Sequence, residues 1–322
     1  PHPTPAKANG MTAAVIGAGP SGLACAYFLG LEGFAVTIYE TKAFAGGMVG
    51  DAIPAFRLTA DAIMKDVQAI QSLGVKISYE TTITRDRFAA LRNENDFIYV
   101  AVGAQAAKKM GIPGEDAAGV IDCLKLLSDV RRNKPVSIGP RVAVIGGGNS
   151  AMDAARTALR LVGPSGSVTL VYRRTRAEMP ADREEIEALL DEKIEILELC
   201  APEAVLTRDG KVSALKVQKM RLGAKGPDGR AKPEKIPGAI EELPFDTIIP
   251  AISQDIVIDF MKPEELKIDP GTGMTKLDKV FAGGDLVRGA ATIVKAVADG
   301  RQAAMNILAK AGRPLPELSG KV

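Results

Sequence analysis

The sequence has few of the side chains that carry out chemistry unaided. Its 322 residues include one histidine, His2, three cysteines and no tryptophan. Because that histidine lies in a Pro-rich terminal stretch, catalytic triads and histidine metal sites are excluded in practice. Cys25, Cys123 and Cys200 are far apart and form no C-x-x-C pair, which excludes a redox dithiol and a cysteine cluster. We interpret each cysteine as a small core residue, so a cofactor has to supply any difficult chemistry.

An excess of one charge and long apolar runs are also absent. Lys and Arg total 41 against 39 for Asp and Glu, and no basic tract is interleaved with aromatics, so no nucleic-acid partner is expected. No apolar run reaches about 18 residues, so no membrane span is expected and the cytoplasm is the default location. Residues 1–10 are predicted to be a flexible tail without the apolar core of a signal peptide. The start without Met is expected of a segment cut from a longer protein.

What the sequence does contain is an internal repeat. Residues 14–26 read AVIGAGPSGLACA and residues 143–155 read AVIGGGNSAMDAA. Each copy follows a short β-branched strand and opens a helical pattern, the context that a dinucleotide-binding fingerprint requires. The first glycine permits a tight turn, the second lets a pyrophosphate approach, and the third small residue lets helix and strand pack closely. Such turns can also serve packing alone, but two copies in the same context favour two nucleotide sites.

The copies differ one residue beyond their second strand. The first ends at Glu40, whose carboxylate accepts hydrogen bonds from ribose hydroxyls and repels an additional phosphate. The second ends at Arg173 and Arg174, whose guanidinium groups suit a 2′-phosphate, and Arg176 is a further candidate. The alternative is that these arginines are solvated surface charges. We predict a dinucleotide without a 2′-phosphate in the first fold and NADP(H) in the second.

Hydrophobic periodicity and turn residues predict the secondary structure of the other segments. The predicted helices outside the repeats are Thr59–Leu73, Asp122–Val130 and Ala290–Lys310. The predicted strands are Val75–Tyr79, Phe97–Val102 and Val280–Ala282. Asp182–Glu185 is interpreted as a capping box before a helix, and Leu222–Pro244 as a long hairpin loop.

The ordered motifs resemble a known family. They are VIGAGPSGLACA, Gly46-Gly47-Met48 followed by residues 53–57 (IPAFR), VIGGGNSAMDAAR, VYRRTRAEMPA and AGGDLVRGAATIVKAV. Together they resemble the small-subunit (beta chain) family of NADPH-dependent glutamate synthase, which includes the related flavin–NADPH segment of dihydropyrimidine dehydrogenase. The resemblance implies an α/β fold class with two Rossmann-like dinucleotide-binding domains. An NADPH domain over 136–244 would be inserted into a discontinuous FAD domain over 11–135 and 245–322.

The resemblance also implies site residues. Those implied for FAD are Gly17, Gly19, Pro20, Ser21, Gly22, Glu40, Gly46, Gly47, Met48, Ile53, Phe56, Arg57, Ile83, Val102, Gly103, Gly284, Asp285, Ala291, Thr292 and Ile293. Those implied for NADP(H) are Gly146, Gly148, Asn149, Ser150, Ala151, Arg173 and Arg174. By this analogy Gly284 and Asp285 approach the ribityl chain, Ile83 lies on the adenine side, and the helix entered at residues 291–293 points its positive dipole end at the flavin ring.

The implied activity is hydride transfer from NADPH to FAD, with electrons passing to an iron–sulfur domain or a large subunit, as in a hetero-oligomer. The sequence departs from the family in lacking a cysteine-rich domain and in having Ser253, where the family usually has glycine. Ser253 is expected near the nicotinamide. Alternatives are a sensor or adaptor that binds FAD and NADP(H) structurally, or a flavin-dependent NADPH oxidoreductase with another acceptor, such as an oxygenase.

Overall fold

The computed structural model of the chain describes residues 4–227, 229–269 and 271–313, so that His2 lies outside the described residues. The chain divides into two compact units. The first contains the chain up to Asp51, Ala55–Gln105 and the chain from Asp255 onward, and the second contains Ala52–Pro54 and Ala106–Gln254. Each unit is organised around its own parallel sheet. The predicted pair of Rossmann-like folds is confirmed.

The element bounds are as follows. The strands are β1 (Thr12–Ile16), β2 (Ala35–Tyr39), β3 (Lys76–Ser78), β4 (Phe97–Val100), β5 (Ala106–Ala107), β6 (Arg141–Ile145), β7 (Ser167–Val171), β8 (Glu195–Leu197), β9 (Cys200–Arg208), β10 (Lys211–Lys225), β11 (Ala231–Leu243), β12 (Thr247–Pro250), β13 (Gln254–Asp255) and β14 (Val280–Ala282). The helices are α1 (Pro20–Leu31), α2 (Met48–Asp51), α3 (Ala60–Gln71), α4 (Arg85–Glu94), α5 (Cys123–Arg131), α6 (Asn149–Val162), α7 (Arg183–Asp191), α8 (Asp285–Arg288) and α9 (Ile293–Lys310).

The first unit contains a five-stranded parallel sheet in the order β14-β4-β1-β2-β3. Ile16 at the end of β1 is in register with Tyr39 on one side and Val100 on the other. The residues that follow these strands therefore emerge at one edge of the sheet, where α/β folds bind ligands. Helix α1 is rich in small apolar residues and packs against both the sheet and α9.

The second unit contains a four-stranded parallel sheet in the order β12-β6-β7-β8 and a three-stranded antiparallel sheet in the order β11-β10-β9. Ile145 is in register with Val171 and Pro250, so the second fingerprint also follows a central strand. Helix α6 packs against β6, β7, α5 and α7.

The unit boundaries fall at 105/106 and 254/255, whereas the predicted boundaries were 135/136 and 244/245. The difference arises because α5 buries Leu124, Leu126 and Leu127 and packs against α6 of the second unit. The thiol of Cys123 also donates to the carbonyl of Ser150, with Sγ 3.7 Å from the oxygen. Pattern and spacing within residues 106–135 did not indicate which sheet this helix covers.

The predicted loop over Leu222–Pro244 is wrong, because β10 and β11 pair through most of it. The prolines are tolerated because β11 is an edge strand, where a missing N–H costs few ladder bonds. The register shifts between Gln218 and Met220, and the buried Gln218 amide donates to the carbonyls of Ile236 and Ala239 at 2.7 and 2.9 Å. A side chain therefore satisfies carbonyls in the irregular stretch.

Two smaller expectations also differ. Asp182 precedes α7 but makes no side-chain capping bond, and the capping box lies instead at Thr175 and Glu178. The described part of the predicted tail is held to the first unit, since Ala6 N donates to the Leu31 carbonyl at 2.8 Å. Asn9 N likewise donates to the carbonyl of Gly33 at 3.0 Å.

Candidate nucleotide-binding sites

The first fingerprint forms a tight cradle between β1 and α1. Gly17 has φ of +104°, and a Cβ there would lie 2.5 Å from the Ala101 carbonyl oxygen. A Cβ on Gly22 would overlap the carbonyl oxygen of Gly17. Gly19 is the N-cap of α1 and supplies no side-chain cap, which leaves N–H groups of the first helical turn available for an anion.

The predicted Gly46-Gly47 turn lies against this cradle. Gly46 N donates to the Ala18 carbonyl at 2.8 Å, and a Cβ on Gly47 would come within 2.8 Å of the Gly19 Cα. The turn leads into α2, which begins at Met48. The structure thus brings together two glycine segments that are distant in sequence.

Glu40 is buried and fixed in place by two backbone donors. Its Oε2 accepts from Ala18 N at 2.8 Å, and its Oε1 accepts from Lys42 N at 2.9 Å. The carboxylate therefore connects the end of β2 with the fingerprint, and each oxygen keeps acceptor capacity for a ribose hydroxyl.

A cavity of about 250 Å³ opens beside Glu40. Its lining includes Gly17, Glu40, Ile83, Val102 and Gly103, all of them predicted site residues. The other lining residues were not predicted; they are Ile16, Tyr39, Thr41, Lys42, Thr81, Thr82, Gln105, Val257, Ile258, Asp259 and Phe260. The last four carry no motif, and only their order after the second unit could have suggested that the chain returns here.

The turn after β14 also reaches the edge of this sheet. Gly284 has φ of +69°, and its N–H donates to Asp299 Oδ2 at 3.1 Å. Asp285 accepts a hydrogen bond from the backbone of Ala291, while its Oδ1 is buried and has no partner in the part of the chain that the structure describes. Burial raises the pKa of the Asp285 carboxyl above its ordinary value. A buried acceptor without a donor is costly, so this oxygen is suited to a ligand hydroxyl.

Other residues predicted for FAD do not line the cavity beside Glu40. Ala291, Thr292 and Ile293 are exposed at the start of α9, where Thr292 caps the helix by accepting from Lys295 N at 3.4 Å. Phe56 is 42% exposed and, like Arg57, does not line the cavity beside Glu40. Ile53 belongs by its contacts to the second unit, where the Arg131 guanidinium donates to its carbonyl.

The second fingerprint forms a comparable cradle between β6 and α6. Gly146 has φ of +151° and has no room for a Cβ beside the Ala251 carbonyl oxygen. Gly148 is the N-cap of α6, makes no side-chain cap and has open space where a Cβ would lie. Ala151 is fully buried and occupies the third small position. Ser253, which we expected near the nicotinamide, is exposed, and its carbonyl accepts from Lys108 N at 3.2 Å.

The arginines after β7 point in different directions. Arg173 and Arg176 are exposed, whereas Arg174 is only 8% exposed and its Nε donates to the Ala231 carbonyl at 2.6 Å. The prediction of Arg174 as a 2′-phosphate ligand is therefore corrected, because its guanidinium is turned into the second unit. The sequence near Arg174 contains no signal for this orientation, because its partner Ala231 lies far along the chain.

The cysteines show no sign of redox pairing. All three are free and buried. Burial raises the pKa of Cys123 to about 12, and it raises the pKa of Cys25 further. Protonated, buried thiols are poor nucleophiles. Among the described residues, no group of three or more His, Cys, Asp or Glu side chains could hold a metal ion.

A profile of the pyridine nucleotide-disulphide oxidoreductase family matches residues 11–300. The chain belongs to this family. It is 39% identical over 315 residues to the NADP(+)-dependent formate dehydrogenase subunit beta of Moorella thermoacetica, covering 94% of this chain and 44% of that protein. It is 36% identical over 330 residues to a putative glutamate synthase [NADPH] small chain of Cereibacter sphaeroides, covering 96% of this chain and 79% of that protein.

The fold agrees with solved structures of the same kind. FprA from Mycobacterium tuberculosis, as its His57Gln mutant, superposes with a TM-score of 0.82 at 19% identity, covering 94% of this chain and 85% of FprA. The resemblance to glutamate synthase small chains is confirmed, and the chain is an oxidoreductase with FAD and NADP(H) as its cofactors. In the described part of the chain, none of the helices combines the length and apolarity needed to cross a membrane.

Proposed function

We propose that the chain transfers a hydride from NADPH, held by the second unit, to FAD, held by the first, and passes the electrons to an iron–sulfur centre or a partner subunit. One contrast carries the proposal. Just beyond the second strand of each fingerprint lies a buried carboxylate, Glu40, directly after β2 in one unit, and an exposed guanidinium, Arg173, two residues after β7 in the other. The first suits an unphosphorylated ribose and the second suits a 2′-phosphate.

The residues of the first unit fit FAD. Gly17 and Gly22 permit the tight turn and the close packing of α1, Gly19 leaves space for a pyrophosphate at the N-terminus of that helix, and Glu40 offers acceptors to the adenosine ribose. The buried Oδ1 of Asp285 lacks a donor within residues 4–227, 229–269 and 271–313, and a ribityl hydroxyl would provide one. When bound, the flavin accepts a hydride and releases electrons singly to an acceptor.

The residues of the second unit fit NADPH in the same way. Gly146 and Gly148 keep the N-terminus of α6 open for the pyrophosphate, and no side chain caps that helix. Arg173 and Arg176 are the exposed guanidinium groups after β7, so we assign the 2′-phosphate to them in place of Arg173 and Arg174.

No side chain has to move a proton in hydride transfer, and the protein contributes orientation and exclusion of water. The described cysteines are buried and separate, which argues against a disulfide as the acceptor. The chain spans less than half of the Moorella relative, so the acceptor is proposed from relatives named as subunits. We expect a hetero-oligomer in the cytoplasm, with an iron–sulfur domain or a large subunit as the partner.

The test is anaerobic reduction of the FAD-loaded protein followed by absorbance. NADPH should bleach the flavin much faster than NADH, and Arg173→Glu should narrow or invert that ratio. Arg208→Glu, a change at another exposed arginine of the second unit, is the matched control and should leave the ratio unchanged.

Two outcomes would contradict the proposal. A protein that cannot be reconstituted with FAD would remove the electron acceptor. A protein that binds both nucleotides but reduces neither its flavin nor an artificial acceptor would instead be a nucleotide sensor or adaptor.

A further inference from the structure

A reciprocal pair of hydrogen bonds joins the second fingerprint to the segment that follows β7. Asn149, the first residue of α6, donates from Nδ2 to Asp182 Oδ2 at 2.9 Å. Its Oδ1 accepts from the backbone N of Asp182 at 2.8 Å. The backbone donor fixes which end of the amide is the oxygen, so the amide nitrogen must face the carboxylate. Both polar atoms of Asn149 are therefore used within the protein.

This pair closes a segment that carries the exposed arginines. We call Arg173–Ala181 the arginine loop. At its far end, Ala181 N donates to the Gly147 carbonyl at 3.1 Å, next to the Asn149–Asp182 pair. At its near end, the Tyr172 ring packs so closely on Gly147 that a Cβ there would lie 2.5 Å from the ring. Both ends of the arginine loop are thus attached to the same glycine turn.

The interior of the arginine loop is also ordered by its own contacts. Thr175 and Glu178 form the capping box, and Tyr172 Oη donates to the Glu178 carbonyl at 3.0 Å. Arg176 N donates to Glu198 Oε1 at 2.8 Å. These bonds fix the backbone that bears Arg173 and Arg176 while leaving both guanidinium groups exposed.

We propose that the Asn149–Asp182 pair is a positioning and specificity element, which holds the arginine loop where Arg173 and Arg176 can bind a 2′-phosphate. This rests on the proposed function. The open N-terminus of α6 can bind the pyrophosphate of any nicotinamide dinucleotide, whereas only the arginine loop distinguishes NADPH from NADH. Breaking the pair should therefore weaken binding of 2′-phosphorylated nucleotides and leave others nearly unchanged. Neither Asn149 nor Asp182 has to touch the nucleotide with its side chain.

The experiment is calorimetric titration of the full chain with 2′,5′-ADP and with 5′-AMP, which differ in the 2′-phosphate. Asp182→Ala should weaken 2′,5′-ADP about tenfold, the effect of losing one hydrogen bond to a charged group, and change 5′-AMP less than twofold. Asp182→Asn keeps an acceptor for the Asn149 amide and should stay near the wild-type affinity. Glu187→Ala, at an exposed carboxylate of α7 that pairs with Arg183, is the control.

A second variant distinguishes loss of the Asn149–Asp182 pair from a local folding defect caused by Asp182→Ala. Asn149→Ala removes the side-chain bond and also the bond from the Asp182 backbone N, so the double variant with Asp182→Ala should be no weaker for 2′,5′-ADP than Asn149→Ala alone. Additive losses, equal losses for both ligands or tighter binding of 2′,5′-ADP by Asp182→Ala would overturn the inference. Failure of the wild-type chain to bind 2′,5′-ADP would overturn the proposed function as well, so the two failures are distinguishable.

Discussion

Replacement of Asp285 by Asn should make the FAD-free protein more stable and the FAD complex weaker. Oδ1 of this carboxylate is buried without a hydrogen-bond partner among the described residues, and the Ala291 backbone donates to the group. An unsatisfied buried polar atom costs about 1–3 kcal/mol, and the cost is larger for a charged carboxylate than for the neutral amide that replaces it. The carboxylate is half-buried and screened by solvent, so we take the lower end, about 1 kcal/mol, as the gain from neutralising it. A gain of that size raises the melting temperature of a domain of this class by about 2–4 °C.

The pH dependence of this gain has a definite sign. Burial raises the pKa of the folded Asp285 carboxyl, so the folded state binds its proton more tightly than the unfolded state does. The contribution of Asp285 to stability is therefore fully present below the ordinary pKa of an aspartate and is lost as pH rises through the raised one. The stability difference between Asp285→Asn and the wild type should be small in acid and reach its full value at neutral pH.

FAD binding should respond in the opposite direction. The Asn variant presents an amide N–H₂ or a single carbonyl where the wild type presents a charged acceptor, so FAD should bind at least about tenfold more weakly. Urea unfolding of apoprotein from pH 4 to 8 and FAD fluorescence titration measure the two effects. Asp278→Asn, at an exposed carboxylate of the first unit that pairs with Lys310, is the control. An apoprotein destabilised at neutral pH, or an unchanged FAD affinity, would refute this reasoning.

Three further substitutions test the packing of the two cradles and the role of Arg174 by unfolding and nucleotide assays. Gly22→Ala should lower the stability of the first unit by about 2 kcal/mol or more and prevent FAD binding, because its Cβ overlaps the Gly17 carbonyl. The matched change Ala151→Gly should lower the free energy of unfolding by only about 1 kcal/mol, through its lower helix propensity. Equal losses of stability in Gly22→Ala and Ala151→Gly would contradict the packing argument. Arg174→Met should cost about 1–2 kcal/mol through the lost bond to Ala231 and leave the NADPH/NADH ratio of flavin reduction unchanged. A changed ratio would return Arg174 to the phosphate site.

The sequence predicts the features that depend on local geometry. The fingerprints specify a strand, a turn and a helix within a few residues, and Gly17, Gly22, Gly146 and Ala151 occupy the positions expected of them. Helix α3 begins and ends within two residues of the predicted bounds, since its Thr59 cap and apolar periodicity are also local.

The features that depended on distant packing were not predicted. Helix α5 belongs to the second unit because it packs against α6. Helix α6 follows a connector without any periodic pattern, so this packing is not visible in the sequence near α5. The buried orientation of Arg174 depends on the Ala231 carbonyl, and the cavity residues after Asp255 return to the first unit from the other end of the chain. A window of sequence contains none of these partners, so periodicity and spacing cannot identify them.

The two copies of the fingerprint differ in how closely neighbouring residues pack on them as well as in charge. Both differences bear on which nucleotide each copy can hold. At the first copy, Ser21 lies beside two glycines, since a Cβ on Gly284 would come within 2.9 Å of its Cβ and a Cβ on Gly300 would overlap its carbonyl. The approach of α9 to α1 therefore requires glycine and brings the Asp285 turn up to the cradle. At the second copy, Asn149 is instead bonded to Asp182. This pair attaches the arginine loop, which carries Arg173 and Arg176, to the start of α6. The glycine pattern alone thus accounts for binding of a pyrophosphate, and the choice between two nucleotides depends on the side chains that each unit packs around it.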